Sequence, residues 1–456
     1  MNTETLKSVY FLGIGGIGMS ALARYFHAAG IEVSGYDKTH TVLTAQLEAE
    51  GMHIHFEDRP ELIPENADLI VYTPAVPKDL AEYIKATSGR FLAKKRAEVL
   101  GELTDSKKLI AVAGTHGKTT VSSMIAHTLF KSSIGCTAFL GGILKNCNTN
   151  LLLNPESPVM VTEADEFDRS FLKLSPWLAV ITSADADHLD IYADHQDLKI
   201  AFMQFAAKVK EGGVLLIKKD IGLDLTSVSD IEVYTYALNQ QADFYAENLR
   251  IENYTYHFDL VIPEGRIKGM SPGLGGLFNV ENSIACAAAA WLSGATADEI
   301  KTGIQTFSGV RRRFDIRISR PGFLYIDDYA HHPQELSACI NSVRKLHPGR
   351  HITGIFQPHL YSRTRDFADD FSASLSLLDR VILLDIYPAR EVPIEGITSD
   401  MLLEKITSPE KSVCSRQEVM RQVAENQPDI LLTLGAGDID QMVLPLEALF
   451  TQKQGL

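Results

Sequence analysis

The run Leu109-Ile-Ala-Val-Ala-Gly-Thr-His-Gly-Lys-Thr-Thr-Val121 constrains this chain more than any other stretch. Its apolar half, Leu109 to Ala113, reads as a buried strand. The strand breaks into Gly114-Thr115-His116-Gly117-Lys118-Thr119-Thr120, and a helical pattern follows from Val121 to about Phe130. Strand, glycine loop and helix in that order form the setting a phosphate-binding loop requires. Glycines let backbone N–H groups approach phosphate oxygens, and the helix N-terminus adds the positive end of its dipole. Lys118 can offset charge on β- and γ-phosphates, and Thr119 can offer its hydroxyl to Mg²⁺. The generic pattern asks for a glycine five residues before the Gly-Lys pair, where this chain has Val112.

A chain of 456 residues suggests about three domains at roughly 150 residues each. Its net charge of −15 disfavours non-specific binding to nucleic acid or to a membrane surface. An anionic substrate then needs locally placed cations. The five cysteines (Cys136, Cys147, Cys286, Cys339 and Cys414) are far apart with no C-x-x-C pair, as expected of free thiols in a reducing cytosol. No basic segment followed by a long apolar one opens the chain, and no apolar run approaches a membrane span; a cytoplasmic protein without signal peptide is expected.

Taken in order, Val9–Leu12 is a strand followed by Gly13-Ile-Gly15-Gly16-Ile17-Gly18, and a second strand, Glu32–Tyr36, ends in Asp37. That is a dinucleotide-binding fingerprint. Its physics is a diphosphate on a helix N-terminus with an acid near a ribose, which a UDP-sugar satisfies as well as NAD. A strand Leu69–Thr73 and a helix around Arg96 continue the alternation, and a first boundary falls near residue 105. Beyond the phosphate loop come a strand Thr137–Leu140, a loop with Gly141-Gly142 and Asn146, Asn148 and Asn150, and a strand Pro158–Thr162 ending in Glu163-Ala-Asp165-Glu166-Phe167-Asp168. Acids at a strand's C-terminal end beside a phosphate loop are placed to hold Mg²⁺. A further strand, Leu178–Thr182, leads to Asp185, Asp187, His188 and Asp190, where His188 can ligate a metal. Short alternating strands over 211–270 predict an antiparallel addition. Asn279 and Asn282 share a face near the start of an alanine-rich helix. Arg311-Arg312-Arg313 suggest an anion site, and a second boundary falls there. Four more strands, each ending in a polar or glycine motif (Asp327–Pro333, Gln357–Arg365, Asp385–Glu391, Gly435–Asp438), predict a third doubly wound α/β domain.

Together these motifs resemble the Mur ligases of bacterial peptidoglycan synthesis, over essentially the whole chain. Gly114-Thr-His-Gly-Lys118-Thr-Thr120 is similar to that family's own form of the phosphate loop. Gly13-Ile-Gly-Gly-Ile-Gly18, Glu163-Ala-Asp-Glu166, Asp187-His188-Leu-Asp190, Arg312-Arg313-Phe314, Asp328-Tyr-Ala-His331-His-Pro333 and Gln357-Pro-His-Leu-Tyr-Ser-Arg-Thr364 narrow the resemblance to the member that adds the first amino acid. The run Tyr387-Pro-Ala-Arg390-Glu-Val-Pro-Ile394 separates it from the tripeptide-recycling relative.

The resemblance implies an α/β chain of three domains: Rossmann-like 1–105 for a UDP-sugar, P-loop ATPase-like 106–311 with the antiparallel addition, and Rossmann-like 312–456 for the amino acid and for closing the ATP site. It implies ATP-dependent ligation of L-alanine to the lactyl carboxylate of UDP-N-acetylmuramate through an acyl phosphate, with Mg²⁺ or Mn²⁺, in a monomer or homodimer with no nucleic-acid or membrane partner. The implied UDP-sugar residues are Gly15, Gly16, Ile17, Gly18, Asp37, Thr73 and Arg96. For ATP they are Gly114, Thr115, His116, Gly117, Lys118, Thr119, Thr120, Asn279, Arg313, Asp328 and His331. Thr119, Glu163 and His188 would hold metal; His359, Tyr361 and Arg363 would take the amino acid; Lys118, His188, His331 and Arg363 would be catalytic. Phe278 stands where the family commonly has His, and Leu360 where some members have Arg. Phe202 or Met203 stands where other members carry a carbamoylated lysine, and Lys199 is out of register, so no modified lysine is expected.

Two other classes stay open at this stage. An NAD-dependent oxidoreductase explains the N-terminal glycines but leaves Lys118, Thr119, Glu163 and His188 without a purpose. A non-catalytic ATP-driven switch explains the phosphate loop but has no need of Asp328, His331 or the third domain's cations.

Overall fold

The computed structural model describes residues 5–185, 192–389 and 391–452. The first sheet contains β1 (Ser8–Leu12), β2 (Glu32–Tyr36), β3 (His53–His55), β4 (Leu69–Tyr72) and β5 (Ala93–Lys95), with helices α1 (Ile17–Ala28), α2 (Val42–Ala49), α3 (Ala81–Ala86) and α4 (Arg96–Thr104) between or after them. Its order is β3-β2-β1-β4-β5 and every pair is parallel. Helices cover both faces, so β1 is buried along its whole length and its sequence is apolar without alternation. The chain turns outward from β1 to β2 on one side and β4 on the other, and ligands bind at such a switch point.

The second sheet has ten strands. They are β6 (Lys108–Ala113), β7 (Thr137–Leu144), β8 (Thr149–Leu152), β9 (Val159–Glu163), β10 (Leu178–Ile181), β11 (Val214–Lys218), β12 (Glu232–Ala237), β13 (Phe244–Glu252), β14 (Thr255–Ile262) and β15 (Gly265–Met270). Helices α5 (Lys118–Lys131), α6 (His195–Ala206), α7 (Leu277–Leu292) and α8 (Ala297–Thr306) accompany them. The order is β15-β14-β13-β12-β11-β10-β6-β9-β7-β8.

Three expectations are corrected here. The strands at 214–217 and 233–236 are not antiparallel: β11 and β12 continue the parallel row from β10, and β13 joins β12 in parallel. The crossover through α6 returns the chain in the same direction, and at the edge β14 pairs antiparallel with β15. Tyr254–Phe258 and Leu260–Ile262 are one strand, β14. The segment after Leu140 is not a loop: β7 runs on through Gly141 and Gly142 and pairs antiparallel with β8, which carries Asn150.

The third sheet contains β16 (Asp315–Arg320), β17 (Phe323–Asp328), β18 (Ile352–Phe356), β19 (Arg380–Leu383), β20 (Glu410–Val413) and β21 (Ile430–Leu434), with α9 (Pro333–Leu346), α10 (Tyr361–Asp366), α11 (Ala368–Leu375), α12 (Ser399–Lys405), α13 (Arg416–Glu425) and α14 (Val443–Gln452). Its order is β16-β17-β21-β18-β19-β20, parallel except for β16. Six strands replace the expected four because both edges, Asp-Ile-Arg-Ile-Ser-Arg and Glu-Lys-Ser-Val, are rich in charge, a composition that protects an edge and hides a strand from hydrophobicity.

The chain divides into two compact units. The first holds residues up to Asn248 with Phe258–Met270 and Glu281–Ser308; the second holds Leu249–His257, Ser271–Val280 and Gly309 onward. Within the first unit one apolar cluster runs continuously from Val9, Leu22 and Phe26 to Phe139, Leu151 and Phe202. Among the described residues no helix is long and apolar enough to cross a membrane.

Candidate active site

The N-terminal glycine turn lies at the C-terminal end of β1. Gly13 and Ile14 donate their N–H groups to Tyr36 O (2.8 and 3.1 Å), so the turn is closed against β2. Gly15 N–H donates to Asp37 Oδ2 at 2.8 Å. Thr73 stands over Gly13 and Arg96 over Gly18, where a Cβ on either glycine would meet the neighbouring side chain at 3.0 Å. Helix α1 opens at Ile17 with Gly16 as its cap and no side chain on its first N–H groups, which leaves them for an anion. Gly15, Gly16, Ile17, Gly18, Asp37, Thr73 and Arg96 are thus brought to one place.

The phosphate loop sits where β6 lies between β9 and β10. Gly114 has φ +134°, and a Cβ there would lie 2.2 Å from Thr182 Oγ1; no other residue type fits. Thr182 Oγ1 donates to Ala113 O and His116 O, Ser183 Oγ accepts from His116 N–H at 2.7 Å, and Asp185 N–H donates to Thr115 Oγ1 at 3.1 Å. These bonds fix the loop's shape from the β10 side. Gly117, at φ +84°, caps α5; a Cβ there would lie 3.0 Å from Asn282 Oδ1, so Asn282 faces the loop. Thr120, nearly buried, follows on the first turn of α5.

Lys118 Nζ donates to Gly114 O and to Glu166 Oε1, both at 2.8 Å, and Glu166 is fully buried. Burial alone would drain charge from this lysine, but Glu166, Asp165 and Glu163 outweigh it and hold the ammonium above its usual pKa. Thr119 Oγ1 donates to Glu163 Oε2 at 2.9 Å. The acids therefore divide their work: Glu163 faces the threonine and Glu166 faces the lysine. His188, with Asp187 and Asp190, lies outside the described residues, as does Arg390. Just beyond the acids, Asp168 and Arg169 both take left-handed backbone angles (φ 58° and 57°), and Arg169 grips Asp197 through both carboxylate oxygens at 2.8 and 2.6 Å. Consecutive non-glycine residues in that region carry strain that the surrounding bonds must hold.

In the second unit the candidates gather at the C-terminal ends of β17 and β18. Asp328 accepts from Phe314 N–H (2.6 Å) and Ala330 N–H (2.7 Å). Burial pushes its carboxyl up to about 7 against the opposing pull of Arg313 and those N–H groups. His331 Nδ1 lies 3.0 Å from Tyr329 O. Burial holds its pKa down at about 4 despite Glu335, so it is neutral near pH 7. The His359 ring lies 6.1 Å from that of His331 and stacks on Tyr387 at 5.7 Å. Arg363 and Tyr361 lie on α10, whose cap, Leu360, has φ 70°. Arg313 lies 4.8 Å over the Tyr329 ring. Arg312 is not an open anion donor: its Nη2 donates to Gly435 O at 2.6 Å, and its Nε lies 3.4 Å from Asp327. Asn279 is buried and its Nδ2 donates to Gly275 O at 2.7 Å, within the turn that opens α7.

Mur ligase family descriptions match the chain in three consecutive pieces: the catalytic domain over 8–108, the middle domain over 112–290 and the glutamate ligase domain over 312–437. A UDP-N-acetylmuramate–L-alanine ligase of Parabacteroides distasonis is 50% identical over 458 residues, covering 99% of each chain. The chain belongs to the Mur ligase family. The enzyme of the same description from Phocaeicola vulgatus is 48% identical, covering 99% of this Mur ligase and 100% of its own length. The crystal structure of a UDP-N-acetylmuramate–alanine ligase from Thermotoga maritima superposes with a TM-score of 0.83 at 27% identity, covering 98% of this chain and 99% of its own.

Three groups around this Mur ligase's phosphate loop were not singled out by sequence as site residues: Glu166, Thr182 and Ser183. Glu166 was visible within an acidic cluster, but its task depends on which way each carboxylate turns. Thr182 and Ser183 directly follow β10, which lies beside β6, a pairing that only the crossover reveals. Phe278 packs edge-on against Phe314 at 5.6 Å, an apolar contact within the second unit.

Proposed function

We propose that this Mur ligase joins L-alanine to the lactyl carboxylate of UDP-N-acetylmuramate at the expense of ATP, acting in the cytoplasm as a monomer or homodimer. The observation that carries this reading is the 50% identity over full length to an enzyme of that description, met by a phosphate loop with Lys118 and the Thr119–Glu163 pair in place. We assign residues 1–105 to the UDP-sugar, 106–311 to ATP and 312–456 to the amino acid and to closure of the ATP site.

The lactyl carboxylate oxygen attacks the γ-phosphorus and ADP leaves, giving an acyl phosphate. The amine of L-alanine then attacks the acyl carbon, loses a proton, and phosphate departs as the amide forms. Catalysis of this kind is positioning and charge neutralisation. Lys118 offsets charge on the transferring phosphoryl group, and the N–H groups of Gly114 to Thr120 cradle the phosphates. Asn279, Arg313, Asp328 and His331 complete the nucleotide contacts; His331, held neutral, is also able to accept a proton. Arg363 takes the alanine carboxylate, with His359 and Tyr361 beside it. On the other substrate, the N-terminus of α1 with Gly15, Gly16, Ile17 and Gly18 takes the diphosphate, while Asp37, Thr73 and Arg96 line the rest.

Adjacent hard oxygen donors on Thr119 and Glu163 suit Mg²⁺ or Mn²⁺. Among the described residues no cluster of three or more His, Cys, Asp or Glu could hold a metal, and His188, which we assign to a second ion, lies outside them. The ion, when bound, spreads phosphate charge.

ADP release with Mg-ATP and UDP-N-acetylmuramate tests the reading. Dependence on free L-alanine is the expected result. Dependence on L-alanyl-γ-D-glutamyl-meso-diaminopimelate instead would replace it with the recycling activity, and silence with both would leave an ATP-driven switch.

A further inference from the structure

Asn150 is fully buried on β8, in the ATP-binding half of the first unit, yet every bond its side chain makes goes to α1 of the sugar-nucleotide half. Its Nδ2 donates to Ile17 O at 2.6 Å and to Ser20 Oγ at 2.9 Å. Its Oδ1 accepts from Arg24 Nη1. Arg24 is itself nearly buried and is held from behind by Glu50, which accepts from Nε at 2.8 Å and from Nη2 at 2.6 Å. Tyr25, on the same helix, packs its ring 5.4 Å from Phe139 of β7. Both amide hydrogens and the amide oxygen are therefore engaged by one helix, and that helix begins at the glycine turn.

The other asparagines of the hairpin do different things. Asn146 bonds Thr306 O and Ser308 within the ATP-binding half, and Asn148 takes the left-handed turn (φ 54°) between β7 and β8. Among the described bonds of these three asparagines, those of Asn150 alone reach α1. Apolar packing between α1 and this edge would tolerate sliding, whereas three directional bonds in a dry site fix helix register. Ser20 Oγ also donates to Ile17 O at 3.0 Å, so the amide joins a bonded pair at the first turn of α1 and ties it to β8.

We propose that Asn150 is a positioning residue for the first chemical step: it fixes the diphosphate end of α1 against the phosphate-loop sheet, so that the sugar's carboxylate meets the γ-phosphate in line. This rests on the ligase reading above. Chemistry between two bound substrates is sensitive to misplacement by about 1 Å, which can cost roughly a hundredfold in rate.

The test is acyl-phosphate formation without alanine, read as positional isotope exchange in ¹⁸O-labelled ATP with UDP-N-acetylmuramate at saturation. Asn150→Asp keeps the acceptor for Arg24 and removes both donors to α1. Exchange should fall at least tenfold while the Kd for ATP stays within twofold, and Asn146→Ala should leave exchange unchanged. If Asn150→Asp does not fold, Ser20→Ala carries the test, with an expected twofold to fivefold loss of exchange at unchanged ATP affinity. Wild-type exchange in the variant that folds, with only its melting temperature lowered, would overturn the positioning role alone. Absence of exchange in the wild-type enzyme would remove the ligase reading and this inference with it.

Discussion

Lys118 shows how a single cation is kept in register before any phosphate arrives. Its ammonium donates to Gly114 O and Glu166, two of its three N–H bonds, which aims the third at an incoming phosphate oxygen. Lys118→Ala should abolish turnover and also destabilise the protein by about 3–5 kcal/mol, because it leaves a buried carboxylate without its cation. Adding Glu166→Gln should restore the melting temperature without restoring ADP release, and comparing the two variants separates catalysis from folding. Gly141 offers a second residue-scale test. A Cβ there would lie 1.8 Å from Glu163 Oε2, so Gly141→Ala must swing the carboxylate away from Thr119. The Mg²⁺ concentration for half-maximal ADP release should rise severalfold while UDP-sugar affinity is unchanged, as a metal titration would report. That Lys118, Thr119 and Glu163 belong together was legible in the sequence, because loop chemistry depends on spacing along the chain. The role of Glu166 was not, because it depends on rotamers set by packing.

At the scale of elements, α5 is buried almost throughout and packs on α8 without room to spare. A Cβ on Gly303 would lie 2.6 Å from Thr128 Cγ2 and 2.8 Å from Thr128 Cα. Gly303→Ala should therefore destabilise the first unit by about 1–3 kcal/mol, measurable by urea denaturation. The same contact holds His127, whose Nε2 lies 3.1 Å from Thr306 Oγ1. Burial, aided by Lys131, lowers its pKa to about 4, below the 6.5 of an unfolded histidine. A base depressed in the folded state contributes stability above pH 6.5 that is lost as pH falls toward 4. His127→Gln should remove about 3 kcal/mol of that acid-side decline, read from denaturation midpoints at pH 7, 5.5 and 4. The elements legible in sequence were those with both faces covered, such as β1, β6 and β10, whose apolar runs admit one reading. The ones missed, β3, β5, β8, β13, β15, β16 and β20, are short or polar strands mostly at or near sheet edges, where hydrogen-bonded neighbours rather than side-chain pattern decide the structure.

For the whole molecule, three open sheets each end strands in glycine or polar motifs, and the order of those sheets along the chain was readable from recurring strand-to-glycine or strand-to-acid junctions. The grouping into two compact units was not readable, because it depends on side chains that meet across sheets. UDP-N-acetylmuramate at a hundred times its Kd should stabilise the first unit by about 2.7 kcal/mol and leave the melting of the second in place, which scanning calorimetry would resolve as a shift of one transition only. The shared apolar cluster of the first unit has a practical meaning for dissection. Severing the chain near residue 105 would strip Leu22 and Phe26 from the body that contains Phe139 and Leu151. Each fragment would then carry a raw apolar face into solvent, and both would precipitate as separate pieces although each holds a whole sheet.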